Sequence, residues 1–183
     1  MKISLLDHAF AGSPADSAST GDYNWPCKHI QWDRDSIGDI LVLTDGALEE
    51  NIDRLDSIDS KVNIGWLIEP RSYAPERYHK ISNPDFYNKL DYIITHEKYL
   101  LDISDKFIYY APGGCWIDPE DRRIHEKSKN ISIIASFKRQ LPGHVLRHDC
   151  IRAFHMFIDG IYGNGYNPVE HKIQALKDYR YSI

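Results

Sequence analysis

Val62-Asn63-Ile64-Gly65-Trp66-Leu67-Ile68-Glu69 is the stretch of sequence on which the fold depends. Its apolar residues run on without the alternation of a half-buried strand, which indicates a strand covered on both faces, as in parallel sheets. Four other runs in the first two-thirds of the chain share this apolar, β-branched character: residues 2–6, 39–43, 92–95 and 107–110. Five such strands predict one buried, mostly parallel sheet.

Segments of helical character lie between these strands, at residues 48–55, 84–90 and 98–103. Asn83-Pro84 begins the second of them, because an N-cap residue followed by proline in the first turn is a helix-start signal. Residues 11–32 are predicted to form a loop that is longer than packing alone requires. Strands alternating with helices predict a Rossmann-like α/β domain over residues 1–117.

A nearly all-charged segment, residues 118–129, predicts a linker between domains, since it has no apolar periodicity. The alternation then restarts, with a strand at 131–135, a helix at 143–157, a strand at 160–161, a helix at 170–177 and a strand from Tyr179. We expect residues 130–183 to form an incomplete second Rossmann-like domain, because the chain stops where a new strand begins. Two such domains in tandem suggest the GT-B layout, among other two-domain α/β layouts.

The composition argues against several classes of protein. The 183 residues carry a net charge of −5, whereas a general nucleic-acid binder is expected to present a basic face. No apolar run approaches the ~20 residues that a membrane span needs, and residues 1–10 lack the pattern of a signal peptide. Cys27, Cys115 and Cys150 have no CxxC spacing. We therefore expect a cytoplasmic protein with reduced thiols and no zinc signature.

Ligands of open parallel sheets bind beyond the carboxyl ends of the strands, and chemically active residues are predicted at those ends. The five ends supply Asp7 and His8, then Asp45, Glu69, His96, and finally Pro112-Gly113-Gly114. Asp45 and Thr95 have a second interpretation, as caps of the helices that follow them. Both interpretations are open at this point.

Glu69 is the strongest candidate among these residues. It follows an apolar strand and precedes Pro70. A carboxylate at the lip of an apolar cleft is expected to have a raised pKa, which suits a general base. The alternative is a structural salt bridge from Glu69 to Arg71 or to another arginine.

A possible phosphate site is predicted in the second unit, where Ser136 ends a strand and a helix begins near Gly143. Backbone N–H groups at a helix N-terminus attract phosphate, and Lys138 and Arg147 add positive charge, with Arg147 able to grip a diphosphate through two bonds. The chain has neither a GxGxxG nor a GxxxxGK[ST] motif. His144 and His148 are four residues apart but lack the HExxH pattern, and we interpret them as structural.

Taken together, the segments resemble the α-1,3-fucosyltransferase family (glycosyltransferase family 10) over roughly residues 60 to 183. The match lies in their order and spacing. The matching segments are Gly65 to Pro70, Asn83-Pro84-Asp85-Phe86, Leu90 to His96, Tyr109 to Pro112 with Trp116, Ala135-Ser136, Arg147, Asp159 to Gly165, and the run Lys172, Leu176, Tyr179-Arg180-Tyr181. The last two are the most specific, since the family often reads D-x-Y-G-x-G followed by K…L..YKF.

The resemblance implies an inverting transferase of GT-B type that needs no DxD-bound metal and no cofactor. Its donor is a nucleotide sugar, typically GDP-fucose, and its acceptor is a glycan. Glu69 matches the family's proposed general base, and Arg147 matches an arginine that contacts the donor diphosphate. The phosphate turn and the resemblance together give a donor-binding set of Ser136, Lys138, Arg147, Tyr162 and Gly163, and the strand ends of the first domain give the acceptor-side candidates Asp7, His8, Asp45 and His96.

The family's next motif, which supplies much of the nucleotide-sugar site, would follow Ile183, where this chain stops. We therefore expect the 183-residue chain to be catalytically inactive even if its parent is a transferase. Two rival functions remain: a glycan- or nucleotide-binding module, and a metal-dependent hydrolase that uses Asp7, His8, Asp45 and His96. The predicted strand at residues 179–183 also offers an exposed edge through which the chain could form a homodimer.

Overall fold

The computed structural model describes residues 1–8, 29–111 and 117–183. The chain divides into two compact units, Met1–Gly113 and Gly114–Ile183. Within the described residues, unit 1 contains a six-stranded parallel sheet and unit 2 a three-stranded parallel sheet. The prediction of a Rossmann-like α/β fold is therefore confirmed.

The sheet of unit 1 has the order β2-β1-β3-β4-β5-β6. Its strands are β1 (Lys2–Leu6), β2 (Gln31–Asp33), β3 (Ile40–Thr44), β4 (Val62–Trp66), β5 (Tyr92–Thr95) and β6 (Phe107–Tyr109). Leu5 lies opposite Val42, and Val42 lies opposite Ile64. The chain moves outward from β1 to β2 and then returns to the other side of β1, so the strand order reverses between β1 and β3.

Short helices connect the strands of unit 1. They are α1 (Asp45–Asn51), α2 (Pro75–Ile81), α3 (Pro84–Tyr87) and α4 (Lys98–Leu101), and a 3₁₀ segment, Ile52–Ser57, extends α1. The predicted start of α3 is confirmed, because Asn83 Oδ1 accepts a hydrogen bond of 3.0 Å from the N–H of Asp85. No helix in the described parts of the chain is long and apolar enough to cross a membrane.

Apolar side chains cover both faces of the sheet in unit 1. Leu41 and Leu43 belong to the larger cluster, with α1 and α2 packed against it, whereas Val42 belongs to a second cluster with Leu5. Gly65 lies where the sheet and the helical layer approach closely, since a Cβ there would be 3.1 Å from Leu48 Cδ2. Each fully buried leucine contributes about 1.5–3 kcal/mol, so the apolar run around Gly65 holds the sheet to its helices.

Unit 2 has the strand order β8-β7-β9. Its elements are β7 (Lys129–Ile134), α5 (Pro142–Phe154), β8 (Gly160–Tyr162) and β9 (Tyr179–Ser182), with 3₁₀ segments at Pro119–Asp121, His155–Phe157 and Lys172–Ala175. The segment before β7, predicted as a linker, makes contacts within this unit: Lys127 Nζ donates a hydrogen bond of 2.9 Å to the carbonyl of Lys177.

Several elements differ from the sequence-based expectations. β4 ends at Trp66 rather than at residue 68, because the N–H groups of Ile68 and Glu69 bond to a side chain of α1 and not to a strand. Residues 170–177 form only a short 3₁₀ turn rather than a full helix, since the Gln174 side chain binds the backbone at the start of the segment. β2 and α2 were not predicted. Residues 11–28, within the predicted loop, and residues 112–116 lie outside the described parts of the chain.

Candidate functional site

The parallel strands of unit 1 all end at the same edge of the sheet, which we call the carboxyl edge. Its residues are Asp7 and His8 after β1, Asp45 after β3, Glu69 beyond β4, and His96 after β5. The reversal of strand order between β1 and β3 is the topological switch point at which ligands of open α/β sheets bind. The fifth predicted strand end, residues 112–114, is outside the described residues.

Asp45 occupies this switch point in an unusual conformation. Its φ of 35° lies in the left-handed region, which aspartate tolerates better than most residues but which remains costly. Its side chain accepts hydrogen bonds from the N–H of Ile68 at 3.1 Å and of Glu69 at 3.2 Å. The capping interpretation is wrong for Asp45, because the N-cap of α1 is Thr44 and no side chain caps the helix.

The groups around Asp45 shift the pKa of its carboxyl in opposite directions. Burial raises its pKa, while the N–H of Ile68 and the charge of Arg77 act to lower it. Arg77 Nη1 lies 3.2 Å from Asp45 Oδ1 but is outside hydrogen-bond geometry, so this attraction is one of charge alone. Arg77 Nε donates to Glu49 at 3.0 Å. These contacts anchor α2 to α1 beside the carboxyl edge.

Glu69 has its backbone held from both sides and its side chain in solvent. Its N–H donates to Asp45, and its carbonyl accepts a hydrogen bond of 2.7 Å from the hydroxyl of Tyr78, a buried residue of α2. Within the described residues, the structure shows no ion pair for the Glu69 carboxylate. The guanidinium of Arg71, its predicted alternative partner, lies over the ring of Tyr99 at 4.9 Å.

The other predicted residues of the edge are engaged in separate contacts. His8 Nε2 is 3.0 Å from Glu50 Oε2 in an exposed pair, and the fully buried side chain of Asp7 accepts a hydrogen bond of 3.2 Å from Arg34 Nε. The ring of His96 lies edge-on to Tyr78 at 6.4 Å.

The described residues contain no group of three or more His, Cys, Asp or Glu side chains arranged to hold a metal ion. Asp7, His8, Asp45 and His96 therefore do not form a metal cluster in those parts of the chain, and nothing there favours the metal-dependent hydrolase.

Thr95, the other residue with a possible capping role, makes a hydrogen bond at the start of α4. Its Oγ1 accepts from the N–H of Glu97, the N-cap of α4, at 3.1 Å.

An aromatic pair lies beside the same edge. Trp66 ends β4, three residues before Glu69, and its ring meets that of Tyr110 edge-on at 6.1 Å. Tyr110 follows β6 and is 45% exposed. Exposed aromatic rings with a polar tip suit the stacking of flat or sugar-like ligands.

In unit 2 the predicted phosphate turn follows β7. Lys138 and Arg147 are both exposed, and Ser136 is half-buried. The buried side chain of His148 binds this turn. Its Nε2 lies 3.2 Å from the Lys138 carbonyl, and its Nδ1 lies 2.9 Å from the Tyr166 hydroxyl. A carbonyl only accepts, so Nε2 carries the proton. The prediction that His148 is structural is confirmed.

The loop after β8 closes over the end of β7. Gly163 has a φ of +114°, and a Cβ there would collide with the carbonyl of Ala135. The N–H of Gly163 donates to Asn167 at 2.9 Å, and the N–H of Ala135 donates to the Tyr162 carbonyl at 2.8 Å. The Tyr162 hydroxyl pairs with that of Tyr179 at 2.5 Å.

Lys172 is a second cation beside Arg147 that sequence reasoning did not include in the donor set. Burial, followed by the positive charge of Arg147, lowers the pKa of Lys172. Two neighbouring cations create local positive potential, which favours a multiply charged anion. The relevant signal was present, since Lys172 belongs to the run that carries the family resemblance.

Sequence reasoning also missed Arg77 and Tyr78, because it did not predict α2. The signal for this helix was Pro75, which occupies its first turn. Comparisons of the chain with protein-family models, with curated proteins and with solved structures find no match. The function must therefore be inferred from the residues of the site rather than from relatives.

Proposed function

We propose that this chain supplies the acceptor-side domain and part of the donor domain of an inverting glycosyltransferase of GT-B type, using a GDP-sugar such as GDP-fucose and a glycan acceptor. The observation that carries the proposal is the state of Glu69. Its backbone is held by Asp45 and by Tyr78, while its carboxylate extends into solvent at the carboxyl edge. A general base needs this combination of fixed position and free oxygen atoms.

In the proposed reaction Glu69 accepts the proton of an acceptor hydroxyl as that oxygen attacks the anomeric carbon of the donor. The new bond forms between the acceptor oxygen and that carbon, and the bond from the carbon to the diphosphate oxygen breaks. GDP leaves with the electron pair, and the configuration at the carbon is inverted. The exposed ring of Tyr110, packed on Trp66, supports a sugar acceptor near this edge.

The donor diphosphate is assigned to unit 2. Arg147 and Lys172 support this assignment as neighbouring cations, and a guanidinium can bind two phosphate oxygens at once. The turn with Ser136 and Lys138 lies ahead of the N-terminus of α5, where backbone N–H groups favour negative charge. Gly163 keeps the facing loop in the conformation that closes over this turn.

Donor binding is tested by calorimetric titration of the chain with GDP and with GDP-fucose. We expect Arg147→Ala to weaken binding at least tenfold, about 1.4 kcal/mol. Arg152→Ala is the matched control, because Arg152 is also exposed on α5 but pairs with Asp149. The absence of GDP binding by the unmodified chain, or equal losses in both variants, would reject the donor assignment.

The role of Glu69 is tested by fucose transfer from GDP-fucose to a glycan panel, catalysed by the full-length protein. Glu69→Gln keeps the backbone contacts and removes the base, so we expect kcat to fall by about 10²–10⁴ with an unchanged melting temperature. Glu76→Gln, an exposed change on α2, is the control. Full activity of Glu69→Gln would exclude Glu69 as the base.

The proposal includes a reducing, cytoplasmic setting, with which Cys150, free among the described residues, is consistent.

The proposal also includes a homodimer that pairs through β9. β9 lies at the edge of its sheet, and Tyr181 on it is 67% exposed. Edge strands pair readily with a second chain unless a charge blocks them. Light scattering is expected to give twice the mass of one chain for the unmodified protein. The Tyr181→Lys variant is expected to have the mass of a single chain. A monomeric unmodified chain would contradict the dimer.

A further inference from the structure

A groove of about 530 Å³ lies on the surface of unit 2, and none of its lining residues belongs to the phosphate turn. We call it the basic groove. Its apolar residues are Ile117, Ile124, Ile173 and Leu176, and its cationic residues are Arg122, Arg123, Lys127 and Lys177. Its volume falls within the range of about 300–1,000 Å³ that is typical of sites for small molecules.

The basic groove lies at the opposite end of the sheet from the predicted donor residues. Lys127 directly precedes β7, and Lys177 directly precedes β9. Since these strands are parallel, the groove is located at their amino ends. Ser136 and Gly163 follow the carboxyl ends of β7 and β8, so the two sites are distinct.

Hydrogen bonds hold the walls of the basic groove together. Lys127 Nζ donates to the carbonyls of Leu176 at 3.3 Å and Lys177 at 2.9 Å, joining one wall to the other. Arg122 Nε donates to the carbonyl of Ile117 at 2.8 Å. These bonds fix the backbone of both walls, so the groove is preformed rather than dependent on a ligand to shape it.

The chemical character of the basic groove is both apolar and positive. Ile124 is 99% exposed, so an apolar ligand that covers this side chain removes apolar surface from water. Arg123 and Lys177 are exposed, and the described residues provide neither of them with an ion-pair partner. Four cations face one carboxylate, Asp121, in a chain whose net charge is −5. The groove is thus locally positive, although the chain as a whole is negatively charged.

We propose that the basic groove binds a small amphipathic anion, with an aliphatic or aromatic body against the isoleucines and a carboxylate, sulfonate or phosphate against Arg123 and Lys177. Each part of the ligand corresponds to one property of the groove: apolar surface covers Ile124, and the anionic group meets unneutralised charge. The site is independent of the glycosyltransferase proposal, because it shares no residue with the donor set.

The test is a fluorescence titration of the chain with 8-anilinonaphthalene-1-sulfonate, an aromatic anion whose emission rises in apolar surroundings. We expect one saturable site, and at least a tenfold loss of affinity in the double variant Arg123→Glu/Lys177→Glu. Arg54→Glu/Lys98→Glu is the matched control, since it makes the same change of charge at exposed positions outside both the groove and the donor set. Near-ultraviolet circular dichroism confirms that each variant is folded.

Two further measurements separate the groove from general dye binding. Ile124→Ser is expected to weaken the dye, whereas Leu146→Ser, at a residue 62% exposed on α5, is expected to leave it bound. Octanoate is expected to displace the dye at a concentration at least tenfold lower than 1-octanol, and GDP is expected not to displace it. Equal losses in the two double variants, equal displacement by octanoate and octanol, or displacement by GDP would overturn the proposal.

Discussion

Among single residues, Asp45 at the switch point destabilises the fold but holds the backbone of the neighbouring strand end in position. Its left-handed backbone and its burial both cost free energy. In return its carboxylate holds the N–H groups of Ile68 and Glu69. Strained, buried, charged residues are concentrated at functional sites, which agrees with a role for this edge in binding or catalysis.

The raised pKa of Asp45 has a definite consequence for stability. The folded chain holds this proton more tightly than the unfolded chain does, so the contribution is complete below the unfolded value of 3.8 and is lost as pH rises through the folded value. We expect Asp45→Asn to match the unmodified chain below this window and to exceed its free energy of unfolding at neutral pH. Urea unfolding at pH 3 to 8 measures the difference.

Asp159 provides a control of opposite sign. Its pKa is lowered, first by the hydrogen bond from the N–H of Ile131 and then by that from Asn130. Its contribution is present above 3.8 and is lost as pH falls through the folded pKa. Asp159→Asn should therefore lower stability at neutral pH. The same sign for Asp45→Asn and Asp159→Asn would show that the burial of Asp45 is not its dominant influence.

At the scale of elements, the loop after β8 depends on one glycine, while the start of α5 does not. Gly163→Ala places a side chain at a φ of +114° against the carbonyl of Ala135, and we expect it to destabilise the chain by about 1–3 kcal/mol. Gly143 lies in the first turn of α5, and a Cβ added there would have open space around it. Gly143→Ala should therefore stabilise by about 0.4–1 kcal/mol.

Urea unfolding of the two glycine variants, followed by circular dichroism, measures these changes. The comparison is well matched, because both replacements add one methyl group to the same unit. If Gly163→Ala proved as stable as Gly143→Ala, the loop would not need its positive φ, and its closure over the end of β7 would not be rigid.

At the scale of the whole molecule, the two units differ in how much apolar surface they bury. Among the described residues, the large core cluster belongs to unit 1 and includes Leu41, Leu43 and Ile93, each fully buried. In the described part of unit 2, residues 117–183, the buried apolar residues are Ile133, Ala135, Ala175 and Tyr179. Phe154, which ends α5, and Met156 and Phe157, in the 3₁₀ segment that follows it, are more than half exposed. A small core gives a small free energy of opening.

Hydrogen exchange followed by mass spectrometry tests this difference. We expect the amides of β3 and β4, the central strands of unit 1, to exchange slowest in the chain. Those of β7, although β7 is central in its own sheet, should exchange at least tenfold faster, about 1.4 kcal/mol less protected. β6, an edge strand of unit 1, is the internal control for edge effects. Equal protection of β3 and β7 would mean that the two units open together.

Local sequence was enough to predict an element wherever a single pattern, such as an apolar run or a helix cap, specified it. The apolar runs predicted β1, β3, β4, β5 and β6, because a strand buried on both faces must be apolar throughout. Asn83 and Pro84 predicted the start of α3, since a cap acts within a few residues. β2 was not predicted, because its pairing with β1 depends on contacts distant in sequence, such as the ion pair between Lys2 and Asp33.

The α/β class, the parallel sheet and the position of Glu69 beyond the carboxyl end of a strand followed from local sequence, because burial and periodicity show in the order of consecutive residues. The contacts around Glu69, in contrast, come from the tertiary structure. Asp45 lies 24 residues before it and Tyr78 nine residues after it. Their contacts with its backbone arise from the packing of α1 and α2 against neighbouring strands. The basic groove likewise joins residues about 50 apart, which no local pattern brings together.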